Sequence, residues 1–179
     1  MRQAVFLDRD GVLTATAVRH GKAYAPRQLE DFRLLAGVRD AVRALRAAGF
    51  LIVVATNQPD IALGLVDIAA VEAMHRKLRE WLPVHAIEMC PHSDWEDCGC
   101  RKPKPGLLVA AARRLDIDLS SSVIVGDRWK DVEAGRRAGC RTVFIDRGYH
   151  EPKPVAPDFV TDSLPAAVDW ILAVSAGPQ

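Results

Sequence analysis

Long apolar runs are missing from this chain. No stretch of its 179 residues approaches the ~20 consecutive apolar positions of a membrane-spanning helix, so no membrane anchor is expected. Aromatic residues are sparse at 6%, and neither sign of charge dominates, since 24 Lys and Arg face 23 Asp and Glu. Lacking a basic face and an aromatic platform, the chain makes no case for nucleic-acid binding. Only four cysteines occur, and three fall between positions 90 and 100, unlike the spread of a secreted disulfide scaffold. The amino-terminal residues run straight into an apolar segment and then acids, without a secretory pattern. The expected location is therefore the cytoplasm, and the expected state a monomer. The apolar fraction of 49% and charged fraction of 26% are those of a globular protein. One domain over residues 1–179 is expected.

Apolar runs alternate with amphipathic segments. Ala4–Leu7, 50–55, 84–89, 122–125, 141–145 and a short piece at 159–160 read as strands. Helical spacing begins at Val38, stopped by Gly49, and recurs over 66–82, 107–115, 129–138 and 165–174. Residues 14–35 and the Pro-rich 148–158 read as loops. Alternation of this kind predicts an α/β fold, a Rossmann-like parallel sheet with helices on both faces.

Asp8-Arg9-Asp10-Gly11-Val12 follows the first strand. Two carboxylates spaced i, i+2 can share one side of the chain, and ligands bind at that end of the strands in open α/β sheets. Two acids there repel each other and any anionic substrate unless a cation bridges them. A calcium loop is excluded, because the sixth position counted from Asp8 is Leu13 rather than Gly, and the twelfth is Arg19 rather than Glu. A plain acidic turn is the alternative. Against it stands convergence: Thr56, Lys102 and Asp127 also follow strands, and right-handed crossovers gather such loops at one edge.

The set suits phosphoryl chemistry. Asp8 is the candidate nucleophile, and Asp10 the acid and base. Mg²⁺ would take side-chain oxygens of Asp8 and Asp127 and the main-chain carbonyl of Asp10. Thr56 and Lys102 would hold phosphoryl oxygens, and Arg101 could fork onto a second polar part of the substrate. Asp131 is either a further metal-shell carboxylate or an acid favoured at a helix start.

Between these motifs lies Cys90-Pro91-His92-x5-Cys98-Gly99-Cys100. Three thiolates and an imidazole make a closed tetrahedral zinc set, here structural, holding Arg101 and Lys102 in place. Isolated buried thiols are the alternative. Cys140 stands apart and reads as a small buried hydrophobe, while His75 and His85 read as structural.

The four motifs together, Asp8-x-Asp10-Gly11, Thr56, Lys102-Pro103 and Gly126-Asp127-x-x-x-Asp131, resemble the haloacid dehalogenase (HAD) superfamily of phosphatases. The resemblance implies an aspartyl-phosphate mechanism on a small-molecule phosphate ester. The cysteine cluster before Arg101-Lys102-Pro103 looks like the branch that includes heptose 1,7-bisphosphate 7-phosphatases and histidinol-phosphate phosphatases. Thr56-Asn57-Gln58 through Gly64 is more similar to the heptose group, although Pro59-Asp60 replaces its Ser-Gly and Leu63 its Arg. The five-residue gap between His92 and Cys98 is more similar to the histidinol group. By the same resemblance, substrate contacts are expected from Thr16, Ala17, Val18, Arg19, Thr56, Asn57, Gln58, Pro59, Arg101, Lys102 and Arg128. No room remains between motifs for a separate cap domain.

Overall fold

In a computed structural model, which describes residues 1–175, the chain forms a six-stranded parallel sheet in the order β5-β4-β1-β6-β7-β8. Its strands are β1 (Ala4–Leu7), β4 (Leu51–Asn57), β5 (Ala86–Cys90), β6 (Val123–Gly126), β7 (Arg141–Ile145) and β8 (Phe159–Thr161). All five strand pairs are parallel. Helices α1 (Val38–Ala47), α2 (Ile68–Trp81), α3 (Gly106–Leu115), α4 (Trp129–Ala138) and α5 (Leu164–Ser175) complete the layers. Among the described residues no helix is long and apolar enough to cross a membrane.

Alternation along the strands builds two cores. Val5 and Leu7 point to one face, with Val42, Leu45, Met74, Leu78 and Ile171 from α1, α2 and α5. Ala4 and Phe6 point to the other, with Leu107, Leu108 and Ala111 from α3. The central strands are apolar throughout because both faces are covered. Cys140 lies in the second core, 7% exposed. Each fully buried large side chain there contributes roughly 1.5–3 kcal/mol of transfer free energy.

Chain order sets the position of the cleft. From β1 the chain builds outward to β4 and β5, then crosses back to place β6, β7 and β8 on the other side of β1. Loops leaving β1 and β6 therefore diverge, and a crevice opens at their carboxyl ends.

Expected and observed elements agree to within about two residues, with one addition. The 14–35 segment contains an antiparallel ribbon, β2 (Ala17–Arg19) with β3 (Lys22–Tyr24). His20 and Gly21 connect the strands, with φ of 51° and 75°, the two positive values that a tight hairpin turn requires.

Candidate active site

Four strand ends converge as the parallel topology requires. Asp8 leaves β1, Thr56 is the penultimate residue of β4, and Asp127 follows β6. Lys102 comes from the loop after β5 and reaches across, its Nζ 2.9 Å from Asp8 Oδ1, 2.5 Å from Asp131 Oδ1 and 2.7 Å from the Ala55 carbonyl oxygen. A lysine only 2% exposed would lose its charge to desolvation. The two carboxylates beside it outweigh burial and hold its pKa above the ordinary value.

Asp8, Asp127 and Asp131 present carboxylate oxygens all within 4.8 Å of one another, and all three are buried. Burial first, and then the neighbouring carboxylates, raise the Asp8 pKa to about 6 against the pull of Lys102. The same causes in the same order raise Asp127 well above the usual range. Neither oxygen of Asp127 has a hydrogen-bond partner; the Tyr149 hydroxyl lies toward it without ordinary hydrogen-bond geometry. Buried carboxylate oxygens without donors are costly, and Lys102 alone cannot balance three acids. A divalent cation with oxygen ligands fits this donor set. Backbone shape keeps the space free. A Cβ on Gly11, whose φ is +90°, would lie 1.8 Å from Asp127 Oδ2, and one on Gly126 would lie 2.0 Å from Asp131 Cβ.

The carboxylate of Asp10 faces elsewhere. Arg9, fully buried, grips it through Nε and Nη2, Thr14 Oγ1 donates to it at 3.0 Å, and Gln58 Nε2 donates at 2.8 Å. Its side chain is thus absent from the acidic cluster, and Asp131 stands there instead. The expected contribution of Asp10 to a metal through its main-chain carbonyl does not involve this carboxylate. Asp131 combines two roles, since its Oδ2 also accepts from Arg128 N at 3.0 Å at the start of α4.

The amides after Thr56 brace the site. Asn57 Nδ2 donates to the Lys102 carbonyl at 3.0 Å, and Lys102 N donates to Asn57 Oδ1 at 3.1 Å. Gln58 Nε2 also donates to Thr56 Oγ1 at 2.9 Å, leaving the threonine hydroxyl hydrogen free to point at an anion. Both residues use these groups inside the protein rather than offering them to a ligand.

A cleft of about 640 Å³ opens above this floor, lined by Thr16, Pro59, Arg101 and Arg128 among others. Ala17, Val18 and Arg19 do not reach it. They form the exposed outer strand of the ribbon, and β3 with Ala25 and Arg27 lines the cleft in their place. The 148–158 segment is more than a surface loop. Tyr149 is 8% exposed and shares a 3.2 Å hydrogen bond with Thr16, while Arg147 Nε donates to the Gly11 carbonyl at 2.9 Å. Nothing in a Pro-rich composition announces that packing; the lone Tyr149 and Arg147 were the available signal.

The cysteine cluster assembles as a separate site. Cys90 Sγ lies 3.6 Å from Cys98 Sγ and 3.5 Å from His92 Nδ1, and Cys100 Sγ lies 3.4 Å from Cys98 Sγ and 3.3 Å from His92 Nδ1. Tetrahedral zinc with Zn–S bonds of ~2.3 Å implies S–S edges of ~3.8 Å, close to this spacing. Burial raises the Cys90 and Cys100 thiols, whereas Cys98 falls to about 7 because the Arg101 backbone donor and its neighbours outweigh burial. His75 and His85 have protein partners instead: His75 Nε2 meets Arg9 Nη1 at 3.1 Å, and His85 Nδ1 accepts from Ile52 N at 2.8 Å.

Comparison with known proteins decides the family. A HAD-hydrolase-like family model matches residues 99–167. The D-glycero-D-manno-heptose-1,7-bisphosphate 7-phosphatase of Thermosynechococcus vestitus is 37% identical, with 95% of each chain covered. The chain belongs to the HAD phosphatases. The D-glycero-beta-D-manno-heptose-1,7-bisphosphate 7-phosphatase of Escherichia coli K12 is 35% identical over 94% of this chain and 87% of its own. Among solved structures, the D,D-heptose 1,7-bisphosphate phosphatase of B. bronchiseptica, complexed with magnesium and phosphate, superposes with a TM-score of 0.79 at 32% identity. That match covers 96% of this chain and 99% of the other. As a HAD phosphatase the chain has its four motif loops at one sheet edge, around the acidic cluster.

Proposed function

We propose that this phosphatase hydrolyses a small soluble sugar phosphate, D-glycero-D-manno-heptose 1,7-bisphosphate, removing the 7-phosphate through an aspartyl-phosphate on Asp8. The observation that carries the reading is the buried Asp8–Lys102–Asp131 ion network beside the partnerless Asp127. The names and coverage of the relatives support the choice of substrate.

Asp8, Asp127, the Asp10 carbonyl and, directly or through water, Asp131 would hold Mg²⁺. When bound, the ion offsets the repulsion between carboxylate and phosphate. Asp8, fixed by Lys102, attacks phosphorus with its free oxygen. Lys102 and the Thr56 hydroxyl take up charge on the phosphoryl oxygens. Asp10 hands a proton to the leaving alkoxide and later takes one from water. This requires its carboxylate to turn from Arg9, Thr14 and Gln58. Arg101 and Arg128 contact the rest of the substrate. Zinc at Cys90, His92, Cys98 and Cys100 would hold the loop that delivers Arg101 and Lys102.

Histidinol phosphate is the second reading, favoured by the five-residue gap between His92 and Cys98. Phosphate release is measured from a panel containing both esters, with Mg²⁺ and with EDTA. The proposal expects Mg²⁺-dependent release and a higher kcat/KM for the heptose ester. Preference for histidinol phosphate would reverse the substrate, and EDTA-resistant release would remove the metal.

A further inference from the structure

The segment after β7 closes on the acidic cluster. Tyr149 is 8% exposed, and its hydroxyl shares one ordinary hydrogen bond, 3.2 Å long, with Thr16 Oγ1. The same hydroxyl borders a gap with Asp127. The Cβ that Gly11 lacks would lie 1.8 Å from Asp127 Oδ2 and 3.1 Å from the Tyr149 oxygen, so the two oxygens face each other across the space that this glycine leaves. Both flanks of Tyr149 are pinned. Arg147 Nε donates to the Gly11 carbonyl at 2.9 Å, and His150 N donates to the Gly21 carbonyl at 2.8 Å in the hairpin turn. Gly21 permits that contact, since a Cβ there would lie 2.4 Å from His150 Cγ.

Packing alone does not account for the hydroxyl. A phenylalanine would fill the same space, and a buried hydroxyl costs free energy unless it is paired. Asp127 is 2% exposed, and both its oxygens lack a donor. The cavity it shares with Tyr149 and Glu151 measures about 10 Å³, about the least that admits one water. Solvent is therefore a poor source of the missing donor, and the tyrosine is a near one. A carboxylate that binds a metal is ionised and can only accept. Tyr149 must then donate to Asp127 and accept from Thr16, whose hydroxyl hydrogen is used in turn. The order of donation runs from Thr16 through Tyr149 to Asp127.

We propose that Tyr149 is a positioning residue for the metal carboxylate: its hydroxyl donates to Asp127, and Thr16 orients it by donating to the phenolic oxygen. The inference rests on the metal site of the phosphatase reading. Groups that hydrogen-bond a metal ligand fix its direction and strengthen metal binding. Thr16 also lines the cleft, so the relay joins the cleft wall to the acid that holds the cation. With its hydrogen committed to Tyr149, the Thr16 oxygen can only accept from a substrate, which suits a sugar hydroxyl and not a phosphate oxygen.

Mn²⁺, which takes the same octahedral oxygen set as Mg²⁺, is titrated into the zinc-loaded chain without substrate, and free Mn²⁺ is read by electron paramagnetic resonance. Tyr149→Phe, which keeps the ring, should raise the Mn²⁺ Kd about tenfold. Thr16→Val should raise it roughly threefold, the weight of one neutral hydrogen bond. The double variant should match Tyr149→Phe, because Thr16 acts only through the phenol. Melting temperature in EDTA should be equal for the wild type and Tyr149→Phe. A Kd for Tyr149→Phe within about twofold of the wild type, or multiplied effects in the double variant, would overturn the inference. Should Tyr149→Phe melt early in EDTA, Thr16→Val decides, and an unchanged Kd there overturns it. A wild type that binds no Mn²⁺ removes the metal site and the inference together. Mn²⁺ binding without phosphate release from any ester removes the phosphatase reading and leaves the relay standing.

Discussion

Two clusters of potential metal ligands lie on either side of Lys102, and they differ in kind. Asp8, Asp127 and Asp131 offer hard oxygens from the ends of buried strands and the first turn of a helix. Asp8 and Asp131 line the cleft, with Asp127 buried beside them. Cys90, at the end of β5, and His92, Cys98 and Cys100 from the loop after it offer soft sulfur and one imidazole, four donors that suit a closed tetrahedral site. The open oxygen site suits Mg²⁺ and chemistry, and the closed sulfur site suits zinc and architecture. One chain thus keeps a donor set suited to a reactive metal apart from one suited to a structural metal. The link between them is short, because Cys100, Arg101 and Lys102 are consecutive.

The largest break in that contrast should come from Asp8→Asn. Turnover should fall by roughly 10³-fold or more, with the circular dichroism spectrum and zinc content unchanged; phosphate-release kinetics checks the first and metal analysis the second. Cys98→Ser should act on the other side. Zinc should be lost, and kcat/KM should fall about 10- to 100-fold, the range typical of losing support behind a reactive centre, as the loop no longer holds Arg101 and Lys102. If zinc-free protein kept full activity, the sulfur site would have no part in positioning.

Asn57→Ala tests the brace at Lys102 without touching either ligand set. Two hydrogen bonds disappear, and kcat should fall about tenfold, zinc remaining bound. A histidine outside both clusters sharpens the comparison further. His75 is buried against Arg9, and burial first and that guanidinium second lower its pKa to about 4. Since Arg9 can only donate, Nε2 accepts and the neutral imidazole carries its proton on Nδ1. The unfolded chain binds a proton near the ordinary value of 6.5, so the unfolded state holds more protons between the two values. The contribution to stability is complete above that upper value and is lost as pH falls toward the lower one. Between pH 7 and pH 5.5 the wild type should lose about 1 kcal/mol on this account, and His75→Gln should not. Urea unfolding at the two pH values measures it.

Much of this was legible because strands buried on both faces read as apolar runs, and because Asp8 and Asp127 directly follow two of them. Ala4–Leu7 leading to Asp8, and Val123–Val125 leading to Gly126-Asp127, are local signals with a long-range consequence. The cysteine spacing was equally direct. The ribbon at Ala17–Tyr24 was not, since strands of three residues on an exposed surface carry too little periodicity, and only His20-Gly21 hints at the turn. Side-chain direction was the other gap. Asp10, Asn57 and Gln58 sit where expected along the chain, yet their polar groups turn inward to Arg9, Lys102 and Thr56. Those partners come from sequence neighbours and distant loops alike, and no spacing rule selects among them. Tyr149 and Arg147 reach the site for the same tertiary reason.

The most direct test of the central claim, that Asp8 is the group aimed at phosphorus, is borohydride reduction of protein quenched during turnover, followed by peptide mass spectrometry. An acyl phosphate reduces to the alcohol, so homoserine at position 8, formed only when Mg²⁺ and substrate are both present, is the predicted result. Homoserine at another carboxylate, or none anywhere while phosphate is being released, would contradict it.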